Sequence, residues 1–165
     1  MGVSHADRSC YNSGVVELRP ITPDTYQACV DLTVAPDQRD FVAPNLKSLA
    51  QAYVWPGSVA RLVCSDGVPV GFVLFMPADA PASGQAIVRF MIDHRYQGRG
   101  LGRAALTAAI EWCQRERDAP EVWLSVVPEN ARARRLYRSA GFVETGEIRE
   151  GETVMVYRAA ARRTV

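Results

Sequence analysis

Arg95-Tyr96-Gln97-Gly98-Arg99-Gly100-Leu101-Gly102-Arg103 joins a β-branched and aromatic run, Ala86 to Asp93, to the strongest helical pattern in the chain, Gly100 to Arg117. Glycines at alternate positions let the backbone turn tightly and bring consecutive N–H groups close to one ligand. The helix that follows adds unpaired N–H groups and the positive end of its dipole, so the loop reads as a pyrophosphate cradle. Arg99 and Arg103 add direct charge to it.

Several phosphate-binding designs share such a loop, and context separates them. A P-loop needs GxxxxGK[ST], which is absent. Gly100-Leu101-Gly102-Arg103-Ala104-Ala105 satisfies the dinucleotide pattern GxGxxA, but that fingerprint opens the first unit of a large parallel sheet. Too little chain follows it here to build one.

The elements around the loop can be read from pattern. Val15 to Arg19 alternates as a strand, and Thr22-Pro23-Asp24 caps and opens a helix to about Val34, ended by Pro36. Asn45 caps a second helix to Trp55, with Leu46, Leu49, Ala50, Tyr53 and Val54 at helical spacing, until Pro56-Gly57 stops it. Val59 to Cys64 and Val68 to Met76 flank Ser65-Asp66-Gly67, a hairpin turn signal. The loop Pro77 to Gln85 leads to a third long strand, Ala86 to Asp93. After the helix Gly100 to Arg117, which ends before Pro120, Glu121 to Val127 is a strand and Asn130 to Ser139 a short helix ended by Gly141. Phe142 to Gly146 and Thr153 to Arg158 form a closing hairpin. The order β-α-α-β-β-β-α-β-α-β-β, without repeat or linker, fits a mixed-sheet α+β domain.

With 165 residues the chain is one domain's worth, enough to bury roughly 70% of its unfolded surface without staples. Residues 1–14 are polar and aperiodic and read as a disordered leader, 15–158 as the domain and 159–165 as a tail. The net charge of +1 leaves no basic stripe for nucleic acid or an anionic membrane beyond the short cluster Arg132, Arg134 and Arg135. No apolar run reaches membrane length. Cys10, Cys29, Cys64 and Cys113 lie far apart, with no CxxC pair and no histidine ladder, so no metal site is expected. They read as free thiols of a reducing cytosol. A catalytic cysteine would need His5 or His94 as partner.

The stretch QGRGLG resembles the Gln/Arg-x-x-Gly-x-Gly/Ala acyl-CoA loop of the GNAT N-acetyltransferases. Downstream, Asn130 through Tyr137 followed by Gly141-Phe142 resembles that family's second signature, NxxAxxLYxxxGF, one helix and one strand later. The resemblance implies a three-layer fold with a mixed, mostly antiparallel sheet of about seven strands flanked by helices and a central splayed pair of parallel strands. Within the family the chain looks most similar to bacterial polyamine (spermine/spermidine, diamine) N-acetyltransferases. That likeness rests on Gln38 through Asn45 with Ser48-Leu49-Ala50, on Arg89 to Asp93 leading into Tyr96-Gln97-Gly98, and on Gly146-Glu147, Gly151-Glu152 and Val154-Met155.

The resemblance implies acetyl-CoA as cosubstrate and a small-molecule amine as acceptor. Phe90, Met91 and Ile92 would run along the pantetheine and acetyl group, with Gln97, Gly98, Arg99, Gly100, Leu101, Gly102 and Arg103 around the pyrophosphate. Asn130 and Ala133 would reach the pantetheine arm. Tyr137 stands where the family commonly has a tyrosine as general acid toward the leaving sulfur. A cationic amine must lose a proton before attack. Val88 and Arg89 occupy the neighbourhood where some polyamine acetyltransferases carry a glutamate, which leaves Glu17, Asp93 or a relay of waters as base. Gln38, Phe41, Asn45, Tyr53 and Trp55 are candidates for the acceptor side, with Asp37, Asp40, Glu147, Glu150 and Glu152 as a negative field for a polycation. The alternatives are an amino acid, an antibiotic amine or a protein N-terminus as acceptor, or a non-catalytic acyl-CoA sensor. By the same analogy a homodimer is expected, with Thr153 to Arg158 pairing across its interface.

Overall fold

Strands buried on both faces read as continuous apolar runs, because neither face can afford polar side chains. The strand Val68–Pro77 obeys this rule in the computed structural model, which describes residues 15–78 and 84–159. The expected leader with His5 and Cys10, the middle of the loop before Gln85 and the tail after Ala159 lie outside the described residues. The elements are β1 (Val16–Arg19), α1 (Tyr26–Asp31), α2 (Asn45–Val54), β2 (Val59–Ser65), β3 (Val68–Pro77), β4 (Gln85–Ile92), α3 (Leu101–Glu116), β5 (Glu121–Val126), α4 (Ala131–Ser139), β6 (Val143–Arg149) and β7 (Glu152–Arg158). They form one seven-stranded sheet in the order β1-β2-β3-β4-β5-β7-β6. Every neighbouring pair is antiparallel except β4 and β5.

Alternation along β3 divides the core. Val73 and Phe75 point to the side of α3, where Leu106, Trp112, Tyr137 and Phe142 close the larger cluster. Phe72 and Leu74 point the other way, toward Cys29 and Leu32 at α1 with Leu49 of α2 against them. Phe75 stacks on Trp112 with ring centroids 4.3 Å apart. Burying a phenylalanine of this kind is worth about 1.5–3 kcal/mol. Helices on both faces therefore hold β3 and β4 rigidly under the loop.

Two irregularities open the sheet at its centre. Leu74 opposes Arg89 while Phe75 opposes Ile87, so Val88 is an extra residue that bends β4 away from regular pairing. The parallel pair is held only at Gln85↔Val122 and Ala86↔Trp123, after which β4 and β5 splay apart. The backbone groups along the gap are left for a ligand or water, since polar main-chain groups require partners.

The early segment departs from the pattern reading. The first helix is shorter than expected, Tyr26–Asp31, because Thr22 to Thr25 form a turn in which the Thr22 carbonyl accepts from Thr25 and Tyr26. It stops before Val34 because Leu32 is extended and the Thr33 N–H is taken by Asp93 at 2.9 Å. Asn45 is not the cap of α2. Pro44 holds that position, and Asn45 is buried, with Nδ2 donating to the Cys29 carbonyl at 2.8 Å. The inward face of α2 carries Asn45 and Ser48 beside Leu49 and Ala52, while Leu46, Tyr53 and Val54 face solvent, so the helix is as expected but only part of its apolar set is on its packed face. The final strand, expected to pair across an interface, has both edges filled by β5 and β6, which leaves β6 as the edge strand at that end of the sheet.

Candidate active site

The splay between β4 and β5 opens into a cleft of about 1210 Å³. Residues 86–92 form one wall and 123–127 the other, with Gly98, Gly100, Gly102 and Arg103 at one end. Asp93 sets the angle of that end. It caps a single 3₁₀ turn, His94–Tyr96, and its fully buried carboxylate accepts from the Arg95 N–H at 2.9 Å and the Thr33 N–H at 2.9 Å. The Arg95 guanidinium adds two further bonds at 2.8 and 3.1 Å. Burial pushes this carboxyl up, but the Arg95 side chain and the two backbone bonds outweigh it and hold it at about 2.

Gln97 then locks the loop to its surroundings. Its Nε2 donates to the Ile92 carbonyl at 2.8 Å and to Gln38 Oε1 at 2.9 Å. Its Oε1 accepts from Gln38 Nε2 at 3.1 Å and from Arg132 Nη1 at 2.9 Å. Gly98 and Gly100 follow with φ of 77° and 78°, a region side chains resist, and a Cβ at either would point into open space. Gly100 leads directly into α3, whose first N–H groups have no intrahelical partner. Backbone donors beside vacant volume are what an anionic pyrophosphate requires, so this end fits that part of CoA.

Most of the expected cosubstrate residues meet here. Phe90, Met91, Ile92, Gln97, Gly98, Gly100, Gly102, Arg103, Asn130 and Ala133 line the cleft. Arg99 and Leu101 do not. Arg99 Nη2 donates to the Arg95 carbonyl at 3.0 Å and the guanidinium lies over the Tyr96 ring, while Leu101 anchors α3 in the core.

Tyr137 reaches the cleft from α4. The Asn130 side chain caps that helix by accepting from the Ala133 N–H at 3.1 Å. On its outer side, Arg134 and Arg138 grip Glu144 of β6 at 2.6 Å each. Thus the arginine cluster is divided between holding α4 and, through Arg132, holding Gln97. Burial pushes the Tyr137 phenol up to about 12, assisted by the negative charge of Glu152, so it keeps its proton at neutral pH.

The opposite face of the sheet carries a different set. Met91 packs toward α1, and Arg89 Nη2 reaches Gln51 of α2 at 3.4 Å. The Arg89 Nε is buried without a hydrogen-bond partner. On β5, Leu124 and Val126 enter the α3 core, so alternation turns Trp123 and Ser125 to the Arg89 side. Asp40, Glu147, Glu150 and Glu152 line this part of the cleft, and Ser125 Oγ donates to Glu152 Oε2.

Of the expected acceptor residues, Gln38 and Phe41 line the cleft. Asn45 is a buried tie between helices, Tyr53 is 92% exposed on the outer side of α2, and Trp55, on the segment after it, is half-exposed. The two carboxylates expected as base are not brought to the cleft. Glu17 pairs with Arg19 on the far edge strand, and Asp93 is consumed by its four bonds. His94 Nδ1 lies 3.2 Å from the Thr33 carbonyl. The described cysteines are buried, and burial pushes Cys29 to about 11 and Cys113 to about 12, as inert core thiols. Pattern reading did not single out Gln51, Arg89 or Ser125 for the acceptor side. The available signal was one polar residue interrupting each of two apolar strands, AIVRFMI and VWLSVV.

Comparison with known proteins agrees with this geometry. The acetyltransferase (GNAT) family model matches residues 24–142. The chain is 30% identical over 151 residues to a spermine/spermidine N-acetyltransferase of Bacillus subtilis, covering 86% of this chain and 97% of that one. It is 30% identical over 108 residues to an L-amino acid N-acetyltransferase of Escherichia coli, 62% of this chain and 67% of the relative. A spermidine N-acetyltransferase from Vibrio cholerae, solved in complex with CoA and spermine, shares the fold with a TM-score of 0.71 at 18% identity, over 87% of this chain and 95% of that one.

Proposed function

Because the chain belongs to the acetyltransferase (GNAT) family and is an acetyl-CoA-dependent N-acetyltransferase, we propose that its acceptor is a polyamine or diamine and that Tyr137 is the general acid. The observation that carries this reading is the cleft itself, lined by the glycine loop with its backbone donors, a buried protonated phenol and four carboxylates. A polycation entering past Asp40, Glu147 and Glu150 meets negative charge at the mouth. The B. subtilis relative, named for spermine and spermidine, supports the same acceptor class.

In this mechanism the loop from Gln97 to Arg103 holds the pyrophosphate, and the splayed edge of β4 along Phe90 to Ile92, which β5 does not pair, holds the pantetheine and acetyl group. Attack of the neutral amine places negative charge on the thioester oxygen, which a backbone N–H of the splayed β4 takes. Tyr137 gives its proton to the departing sulfur. Raised to about 12, the phenol is fully protonated when that proton is needed. Its position on the α3–α4 side keeps it away from the amine.

One observation favours a second acceptor. Arg89 lines the cleft and brings a guanidinium charge to the acceptor face, suited to a carboxylate, and the E. coli relative is named for L-amino acids. Mass detection of products separates the two when acetyl-CoA and the protein meet spermidine, spermine, putrescine and amino acids together. Acetylated polyamine is expected. Acetylation of amino acids alone would transfer the acceptor to the second reading, and no product with intact acetyl-CoA binding would point to a sensor.

We also propose a cytosolic enzyme that pairs as a homodimer through the free β6 edge, where Val143 and Ile148 are exposed. Sedimentation at micromolar concentration that gives only an 18.1 kDa species would remove the dimer.

A further inference from the structure

An ammonium acceptor must lose a proton on the face of the sheet from which it approaches, and neither carboxylate suggested by pattern stands there. We infer that Glu152 is the general base, working from the acceptor face of the splayed sheet while Tyr137 works from the other. This inference rests on the acetyl-transfer reading above and names the residue that reading leaves open.

Four carboxylates line the cleft, and their surroundings differ. Glu147 is taken by Arg149, with bonds of 2.8 and 3.1 Å. Glu150 sits at the turn of the β6–β7 hairpin with φ 52°, and Asp40 lies on the loop before α2. Glu152 alone of these is bonded to the β5 wall, through Ser125. Its placement is also firm, because it opens β7 and is held opposite Arg149 in the β6–β7 ladder. Ser125 is level with Val154 across the β5–β7 pair, so Glu152, two residues away, emerges on the Ser125 face. Glu152 and Tyr137 both line the cleft, and the negative charge of Glu152 is felt at the Tyr137 phenol. Ser125 occupies Oε2, and Oε1 is the oxygen assigned to the acceptor.

The proton count closes with these two groups. The ammonium first gives one proton to Glu152, which passes it to solvent at the hairpin. The amine then attacks, the N–C bond forms and the C–S bond breaks. Glu152 takes the second nitrogen proton as Tyr137 gives its own to sulfur, and a return of that proton from Glu152 through solvent to Tyr137 resets the site. The net products are the N-acetylated amine, CoA thiol and one proton. The other charged or titratable groups facing this position are Arg89 from β4, Asp40 from the loop, Glu147, Arg149 and Glu150 from the hairpin, and Tyr137 from α4.

The test is the pH profile of Glu152→Gln beside Glu152→Asp, with spermidine as acceptor and acetyl-CoA affinity measured separately. The expected result for Glu152→Gln is a kcat at pH 7 lower by about 100-fold, the lower end for a lost general base, with acetyl-CoA affinity unchanged. The rate should recover steadily as pH rises and the amine loses its proton unaided. Glu152→Asp, which keeps the carboxylate, should retain the wild-type shape of the profile at reduced rate. A Glu152→Gln enzyme with a wild-type profile, or one in which only the acceptor KM rises, overturns the inference and leaves acetyl transfer standing. Should Glu152→Gln fail to fold, Glu152→Asp decides alone, since a changed profile shape in that variant also overturns it. Absence of acetylated spermidine from the wild type removes the polyamine acceptor itself before any variant is made.

Discussion

The two ends of the cleft are built by different means. At the phosphate end, Gly98, Gly100 and the start of α3 offer main-chain donors, and side chains such as Asp93 and Gln97 serve to hold the backbone in place. At the acceptor end the chemistry lies in side chains, brought together from β4, β5, the loop before α2 and the final hairpin. A site made of amides needs one contiguous stretch with special φ values. One made of side chains needs only that remote segments meet, and no local pattern records that meeting.

Breaking the phosphate end should have the largest consequence. Asp93→Ala strips a buried carboxylate from the Thr33 and Arg95 N–H groups and from the guanidinium. Losing one partner of a buried pair costs about 3–5 kcal/mol, and the half-exposed Arg95 side chain argues for the lower figure. Denaturant unfolding should fall accordingly, and acetyl-CoA affinity with it. The same carboxyl, held at about 2 against an ordinary 3.8, contributes stability that is complete above its ordinary value and is lost as pH falls through about 2. Asp93→Asn should flatten that acid limb. A variant as stable as the wild type, with its loop intact, would show that the phosphate end does not depend on this anchor.

Tyr137→Phe tests the junction between the two ends. Removing the hydroxyl leaves the ring in its contact with Phe142, so stability and acetyl-CoA affinity should hold. Turnover should drop by about 100-fold, the lower end for lost acid catalysis. Unchanged turnover would take Tyr137 out of the mechanism.

These differences explain what the sequence made legible. The strand-loop-helix around Gly98 to Arg103 and the helix capped by Asn130 are each set by neighbours a few residues apart, and both stand where pattern puts them. The early helices were harder to read. Capping rules favour Thr22 and Asn45, but Asp93, distant in sequence, draws Thr33 out of the helix, and the Cys29 carbonyl draws Asn45 inward. In α2 a polar pair, Asn45 and Ser48, shares the packed face with Leu49 while Leu46 and Tyr53 are exposed, so apolar spacing alone does not mark the buried side. Ser125 and Glu152 meet only because β7 inserts beside β5, a pairing that no local motif announces.

A smaller effect sharpens the backbone argument. Gly100→Ala adds one methyl group in open space but forces an alanine to φ near 78°, at a cost of about 1–2 kcal/mol. If the loop relaxes to avoid that strain, acetyl-CoA binding should weaken by about tenfold while the acceptor KM stays put. A change in acceptor KM alone would mean that the two ends are not separable in this way.

The smallest effect concerns a residue that the family resemblance places among the acceptor candidates. Tyr53 is 92% exposed and lies outside the cleft, so Tyr53→Ala should leave kcat and the acceptor KM as they are and move stability by less than about 0.5 kcal/mol, the range for surface changes that break no buried contact. Gln38→Ala is the matched contrast, because it removes both amide bonds to Gln97 from a position that lines the cleft. Steady-state kinetics on the pair decide between two views of the acceptor end. If Gln38→Ala weakens acceptor binding and Tyr53→Ala does not, the acceptor meets only the inner side of the loop before α2. A raised acceptor KM in Tyr53→Ala would instead extend the acceptor's path over the outer face of α2, and the division between a backbone-built end and a side-chain-built end would have to include that helix.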